Sequence, residues 1–288
     1  MHQQSNGGFL PTPAPAAPAM TPASSSVRSR SSKGLWCKPA AELEFRLLPR
    51  MRNRPSKSAL FKGRHFEQEI IILCVRWYLR YKLSYRDLVE MMAERGLPIA
   101  HTTILRWVQR YAPEFDKRWN RFSTQAGNSW RVDETYVRIR GRWAYLYRAV
   151  DAAGKTVDFR LSPRRNVASV KAFFRKAVRS QGRSPETITL DGYAASHRAV
   201  RELQRQGRLA EVTKLRSSKY LNNRIEQDHR NVKSRLGVML GLKSFASAGT
   251  TIRGIELMHR IRKGQFDLSS LSTQGRTTPE IWAAVLAA

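Results

Sequence analysis

From Phe66 the hydrophobic positions return every three or four residues, at Phe66, Ile70, Leu73, Cys74, Trp77, Tyr78 and Tyr81. That spacing lines them along one broad face of a helix. A second helix is predicted from the cap-like Ser84 through "SYRDLVEMMAERG" to Gly96, with Pro98 just beyond. A third runs through "HTTILRWVQRYAPEF" and is expected to end before Pro113, since proline removes an amide donor and crowds the preceding turn. In it Ile104, Trp107, Val108 and Tyr111 turn inward, leaving Thr102, Thr103, Arg106, Gln109 and Arg110 free. Two short helices joined by a glycine-containing turn, after a longer support helix, fit a helix-turn-helix. The bland alternative is a small three-helix packing unit that binds nothing.

Beyond a polar linker at 121–129 the period changes to two. "WRVDETYVRI" (130–139), "RWAYLYRAVD" after Gly141, and "KTVDFRLS" after a turn at Asp151 to Gly154 predict three antiparallel strands. A helix follows from Asn166 to Ser180, with Val170, Phe173, Phe174 and Val178 inward. Then come a short strand "ETITLD" (186–191), a helix from Ser196 to Gln206, a strand "EVTKL" and a helix in "YLNNRIEQDHRNVKSRLG" (220–237). Asn222 or Asn223 can cap that last helix, and Ile225, Val232 and Leu236 form its apolar stripe. The order βββαβαβα predicts an α/β domain with a mixed sheet, which is the element order of the ribonuclease H-like fold. The expected organisation is therefore a Pro/Ala/Ser-rich disordered extension (1–60), an all-α helix-turn-helix domain (61–120), the ribonuclease H-like domain (128–245), and a C-terminal helix and tail (246–288). Met51 is a candidate translation start.

Charge decides the partner class. The chain of 288 residues has 52 Lys+Arg against 22 Asp+Glu, a formal net charge of +30. Residues 1–50 hold six basic and two acidic residues, so the excess lies in the patterned part. Such a field favours a polyanion, and nucleic acid precedes a membrane surface because no basic amphipathic anchor helix appears. Cys37 and Cys74 form no CxxC pair and no Cys/His cluster has zinc-finger spacing, which suggests a reducing compartment without structural zinc. The longest strongly apolar run, Ile70 to Val75, is too short to span a membrane. A soluble, cytoplasmic protein acting on double-stranded DNA is expected, with no membrane partner and no small-molecule substrate.

Phosphoryl transfer without a covalent enzyme intermediate needs divalent ions positioned on carboxylates, one for the attacking and one for the leaving oxygen, about 4 Å apart. About three acids must then converge from distant sequence. In a ribonuclease H-like layout they sit mid-way along the first strand, at the end of the fourth, and on a later helix, which are the places of Asp133, Asp191 and Glu226. Each also has a plain reading. Asp133 can be a polar residue on a solvated strand face, with Glu134 on the opposite face as the substitute if the register slips. Asp191-Gly192 can be a simple turn, and Glu226 the capping-box partner of Asn223. Asp151 and Asp158 read as turn and cross-strand residues, His197 as a helix-surface residue. Asp228 and His229 turn off the Glu226 face.

The stretches "FKGRHFEQEIIILCVRWYLRYKLSYRDL", "HTTILRWVQRYAPEF", "DETYVRIRGRWAYLYRAVDAAGKTVDF", "NNRIEQDH" and "LGLKSFASAGTTIRGIELMHRIRKGQ" lie almost continuously across 61–265. Over that span the chain resembles the insertion-sequence-six family of DDE transposases. The family carries Asp, Asp and Glu, the last two 34 residues apart, with Lys or Arg seven past the Glu; Asp133, Asp191, Glu226 and Lys233 match at those spacings. The extension to about residue 60 and the end from Phe266 have no counterpart in the pattern. The resemblance implies a bacterial insertion-sequence transposase with an integrase-type catalytic core. It implies a two-ion site for Mg²⁺ or Mn²⁺ on Asp133, Asp191 and Glu226, and binding of inverted-repeat ends and target DNA. Lys233, about 10 Å along the helix from Glu226, would hold phosphate together with Arg230. A homodimer is implied too, assembled through the helix around Ala248–Gly264. The alternatives are a Tyr or Ser site-specific recombinase, which needs an arginine cluster that these motifs do not assemble, and a helix-turn-helix regulator with an inactive second domain.

Overall fold

The structure, a computed structural model, describes residues 58–217, 223–239 and 242–288. The extension up to residue 57, Met51, Cys37 and Asn222 lie outside the described residues. Helix α1 (Gln68–Arg80) buries Ile71, Cys74, Val75, Trp77, Tyr78 and Leu79. It starts after Phe66 and ends before Tyr81, whose extended backbone takes its ring out to 40% exposure. Helix α2 (Tyr85–Ala93) begins as expected at Ser84, which forms a reciprocal capping box with Asp87. Helix α3 (His101–Trp119) does not stop at Pro113 but continues a turn and a half beyond it. A mid-helix proline costs about 3 kcal/mol. Burying Phe115 and Trp119, the first fully and the second at 3% exposure, returns about 1.5–3 kcal/mol for each large side chain. Both rings contact Trp282 edge-on or tilted at 5.1 Å, so tertiary packing carries the helix through.

Strands β1 (Ser129–Ile139), β2 (Arg142–Asp151) and β3 (Thr156–Ser162) form the expected antiparallel meander. The β1–β2 connection is a two-residue turn in which Arg140 and Gly141 have φ of 50° and 77°. Positive φ at both positions is the hairpin geometry whose twist suits the flanking strands, and glycine adopts it without strain. Strands β4 (Thr187–Leu190) and β5 (Lys214–Ser217) add in parallel, giving one mixed sheet of order β3-β2-β1-β4-β5. This is the ribonuclease H-like arrangement. Strand β5 lies later than "EVTKL" suggests: Glu211 and Val212 are in a turn, Val212 is 85% exposed, and Thr213 anchors the turn by donating to Pro185 O at 2.7 Å.

Alternation along β1 separates two cores. Trp130 and Val132 face α4 (Val167–Gln181) and α5 (Ala194–Arg205), packing with Phe173, Phe174, Val200 and Leu203. Val137 and Ile139 face the other way, into a core shared with α1, α3, α6 (Asn223–Leu236), α7 (Phe245–Arg262) and α8 (Thr278–Ala287). The helices that precede the sheet and the helices behind it therefore bury one common set of side chains, and the described residues from Ser58 on cluster as one unit. Helix α7 is central to it. It buries Ile252, Gly254, Ile255, Glu256, Leu257 and Met258, and a Cβ on Gly254 would fall 2.6 Å from a Leu79 methyl. The surface expected to mediate self-association is thus spent within one chain. No helix among the described residues is long and apolar enough to cross a membrane.

Candidate active site

The paired register of β1 with β4 ends at Arg131 opposite Thr189. Two residues further, Asp133 and Asp191 come level with each other, Asp133 still on its strand and Asp191 just past the end of β4. Sites in open α/β sheets form outside the carboxyl ends of such parallel strands. Asp191 is also a turn residue: its Oδ1 accepts from Tyr193 N at 3.2 Å, and His197 Nε2 donates to its backbone carbonyl at 2.8 Å. His197 thus pins the turn instead of sitting idle on the helix surface.

Glu134 departs from expectation. The register does not slip, since Asp133 pairs with Arg148 and Glu134 with Tyr147. Yet ligand oxygens of Asp133, Glu134 and Asp191 all lie within 4.8 Å of one another. The pleat sets only the Cβ direction, and a glutamate at a strand edge left unpaired beyond Arg131 can bend back over it. Glu134 is ion-paired with Arg165. Glu226 lies in the first turn of α6, exposed, and is not within that 4.8 Å group. Its charge still reaches the site. Burial pushes the Asp133 carboxyl up to about 6, and the neighbouring charges of Asp191, Glu134 and Glu226 add to the rise, against a hydrogen bond from the Glu134 amide. Carboxylates that resist ionising together form a place where a divalent cation is stabilised.

His229 was expected to turn away. It is instead buried, with Nδ1 3.6 Å from Asp133 Oδ2. Burial, aided by the positive charges of Arg148 and Lys233, drives its pKa down to about 3, so the ring is neutral. Asp228, one residue earlier, accepts from His259 Nε2 and pairs with Arg148 and Lys263, each at 2.5 Å. The apolar stripe of Ile225, Val232 and Leu236 hides both contacts, because the buried side of α6 also takes in Asp228, His229 and Arg235. A polar pair such as Asp228-His229 inside an otherwise amphipathic helix is the available signal. Arg230 and Lys233 are exposed on α6 as expected. The side chain of Asn223, offered as a cap, is outside the described set.

On α3, Thr102, Arg106 and Arg110 are exposed and Thr103 is half-buried. Gln109 is not free: its Nε2 donates to Thr251 Oγ1 at 3.1 Å and to Ser247 O at 3.4 Å, tying α3 to α7. A three-helix unit viewed alone offers that position to solvent, and only the crossing of α7 occupies it. Asp151 and Asp158 are structural, as expected. Asp151 accepts from the amides of Gly127, Ala153 and Lys155, and Asp158 pairs with Lys176.

A family model described as a DDE domain matches residues 127–265. The transposase for insertion sequence-like element IS431mec of Staphylococcus aureus strain Mu50 is 38% identical over 203 residues, which cover 70% of this chain and 88% of the relative. The chain belongs to the insertion-sequence-six family of DDE transposases. The transposase for insertion sequence element IS257 in transposon Tn4003, also from S. aureus, matches at the same identity and coverage. Among solved structures, the catalytic core domain of BIV integrase overlays 46% of the transposase and 84% of its own chain, at 16% identity and a TM-score of 0.35. Asp133, Asp191, Glu226 and Lys233 all fall within the matched residues 127–265.

Proposed function

We propose that this transposase serves a bacterial insertion sequence: it binds the terminal inverted repeats through α2 and α3 and cuts and joins DNA at Asp133, Asp191 and Glu226. The observation that carries the assignment is the convergence of Asp133 and Asp191 from residues far apart in sequence to within 4.8 Å, with the charge of Glu226 acting on Asp133. These three acids would hold two Mg²⁺ or Mn²⁺ ions. When bound, such ions polarise the attacking and leaving oxygens of a phosphodiester. Glu134, the other acid close to Asp133 and Asp191, is paired with Arg165, and in this reading Glu226 supplies the third acid.

The chain's own groups then account for positioning. Arg230 and Lys233, exposed on the helix that carries Glu226, grip the phosphates on either side of the reacting one. Water attacks the phosphorus at an element end, the bond to one sugar oxygen breaks, and a 3′-hydroxyl is freed. That hydroxyl attacks a target phosphate, forms a new P–O bond and releases a target 3′-hydroxyl. Replication through the joined strands yields a cointegrate, and two copies of the chain bridge the two ends inside the bacterial cytoplasm.

Asp191→Asn tests the assignment. The variant should bind inverted-repeat DNA as before and lose strand transfer in Mg²⁺. Normal strand-transfer rates in that variant would remove Asp191 from the site. Binding without any nicking by the unaltered protein, with or without Mg²⁺, would identify a regulator instead.

A further inference from the structure

We propose that the solvent face of the β1–β2 hairpin is a second nucleic-acid site, one that stacks unpaired nucleotides of the strand held at the carboxylates. It rests on the proposed function for DNA as the substrate and for the reacting phosphate lying at the carboxylates. Tyr136 and Trp143 are 46% and 58% exposed, although both stand on interior strands of the sheet, in the half of the hairpin nearest its turn. Their ring centroids are 6.1 Å apart, and Tyr145 continues the row 5.4 Å from Tyr136. Arginines interleave with the rings. Arg138 lies 5.9 Å from the Trp143 centroid, and Arg165 lies 5.8 Å from Tyr136 while pairing with Glu134 of the carboxylate group. The row therefore starts at Glu134, whose carboxylate oxygen lies within 4.8 Å of those of Asp133 and Asp191, and runs outward to the hairpin tip. There Trp143 lines, with Arg140, Arg142, Pro163 and the 42% exposed Phe245, a groove of about 660 Å³.

The chemistry selects the occupant. Alternating aromatic faces and guanidinium groups match alternating bases and phosphates. A duplex keeps its base faces stacked on one another, so only unpaired nucleotides present a face to Tyr136 and Trp143. The position beside the acids places those nucleotides next to the reacting phosphate, where a nicked strand end separates from its complement.

The test compares binding of a single-stranded poly-thymidine with binding of a random-sequence duplex to the full chain. Trp143→Ala and Tyr136→Ala should each weaken the single strand about ten-fold and leave the duplex unchanged. Trp143→Phe should retain most of the affinity, and single-strand binding should quench tryptophan fluorescence in the unaltered protein but not in Trp143→Phe beyond the loss of that indole. Unchanged melting temperatures confirm intact folding, as expected for replacement of exposed rings. The proposal is overturned if both DNA forms weaken equally or neither does. It is equally overturned if the substitutions instead change the sedimenting species, which would make the hairpin a contact between copies of the chain. Asp191→Asn should keep single-strand binding, so failure of this site and failure of the carboxylate assignment read out separately.

Discussion

Arg148 on β2 donates from Nε and Nη2 to the two carboxylate oxygens of Glu256 on α7, at 2.7 and 3.0 Å, with both side chains fully buried. The same guanidinium reaches Asp228 on α6 at 2.5 Å. One buried cation thus joins the sheet to the helix that carries Glu226 and to the helix behind it. Burial opposes its charge, but Glu256 and Asp228 outweigh that and hold its pKa above the ordinary value. Removing one partner of such a set leaves a buried charge under-compensated, at a cost of about 3–5 kcal/mol. Glu256→Gln should therefore lower urea-unfolding stability by an amount of that order. The double change Arg148→Met with Glu256→Leu should recover part of it. Additive losses in the double variant would contradict the pairing.

Asp228 makes stability depend on acid. Burial raises its pKa, but the His259 hydrogen bond and the charges of Arg148, His259 and Lys263 outweigh it and leave the carboxyl below the usual carboxylate range. The unfolded chain then binds the proton more readily than the folded one. The contribution is complete above the ordinary value of 3.8 and is lost as pH falls below it, towards the lower folded value. Melting temperature followed from neutral pH to below about pH 4 should drop more steeply for the unaltered protein than for Asp228→Asn, which starts lower. Parallel curves would refute the linkage.

Glu226 and Glu134 are expected to differ. Glu226→Gln removes a proposed ion ligand and should abolish Mg²⁺-dependent strand transfer, with folding intact because the residue is exposed. Glu134→Gln breaks the pair with Arg165, in which the Glu134 side chain is only 4% exposed, and should reduce strand transfer only partly, by about ten-fold through a small shift in geometry. Strand-transfer assays on the two proteins decide; abolition by Glu134→Gln with a functional Glu226→Gln would exchange their roles.

Arg106 and Gln109, one turn apart on α3, should also separate. Arg106 is exposed, so Arg106→Ala should weaken inverted-repeat binding and reduce its salt dependence without lowering the melting temperature. Gln109 ties α3 to α7, so Gln109→Ala should cost about 1 kcal/mol of stability for the lost hydrogen bonds. Salt-dependent binding isotherms and thermal melts on both variants check the contrast.

Local pattern determined most of the elements. Period-two alternation from Trp130 and period-three-to-four returns from Phe66 are properties of neighbouring residues, so strands β1 to β3, the capping box at Ser84 and the inward face of α3 were legible in the chain itself. On α1, by contrast, only Cys74, Trp77 and Tyr78 of the predicted face are buried, and Ile71, Ile72, Val75 and Leu79 join them. The spacing of Asp133, Asp191, Glu226 and Lys233 was legible as well, because it belongs to a family pattern written in sequence. Tertiary packing decided the rest. It carried α3 past Pro113 by burying Phe115 and Trp119, drew Gln109 to α7, folded Glu134 back towards Asp133, and brought His229 beside Asp133 with Asp228 against Arg148. None of these is a local preference: each exists because an element distant in sequence supplies the buried surface or the opposite charge, and periodicity is blind to what lies across the core.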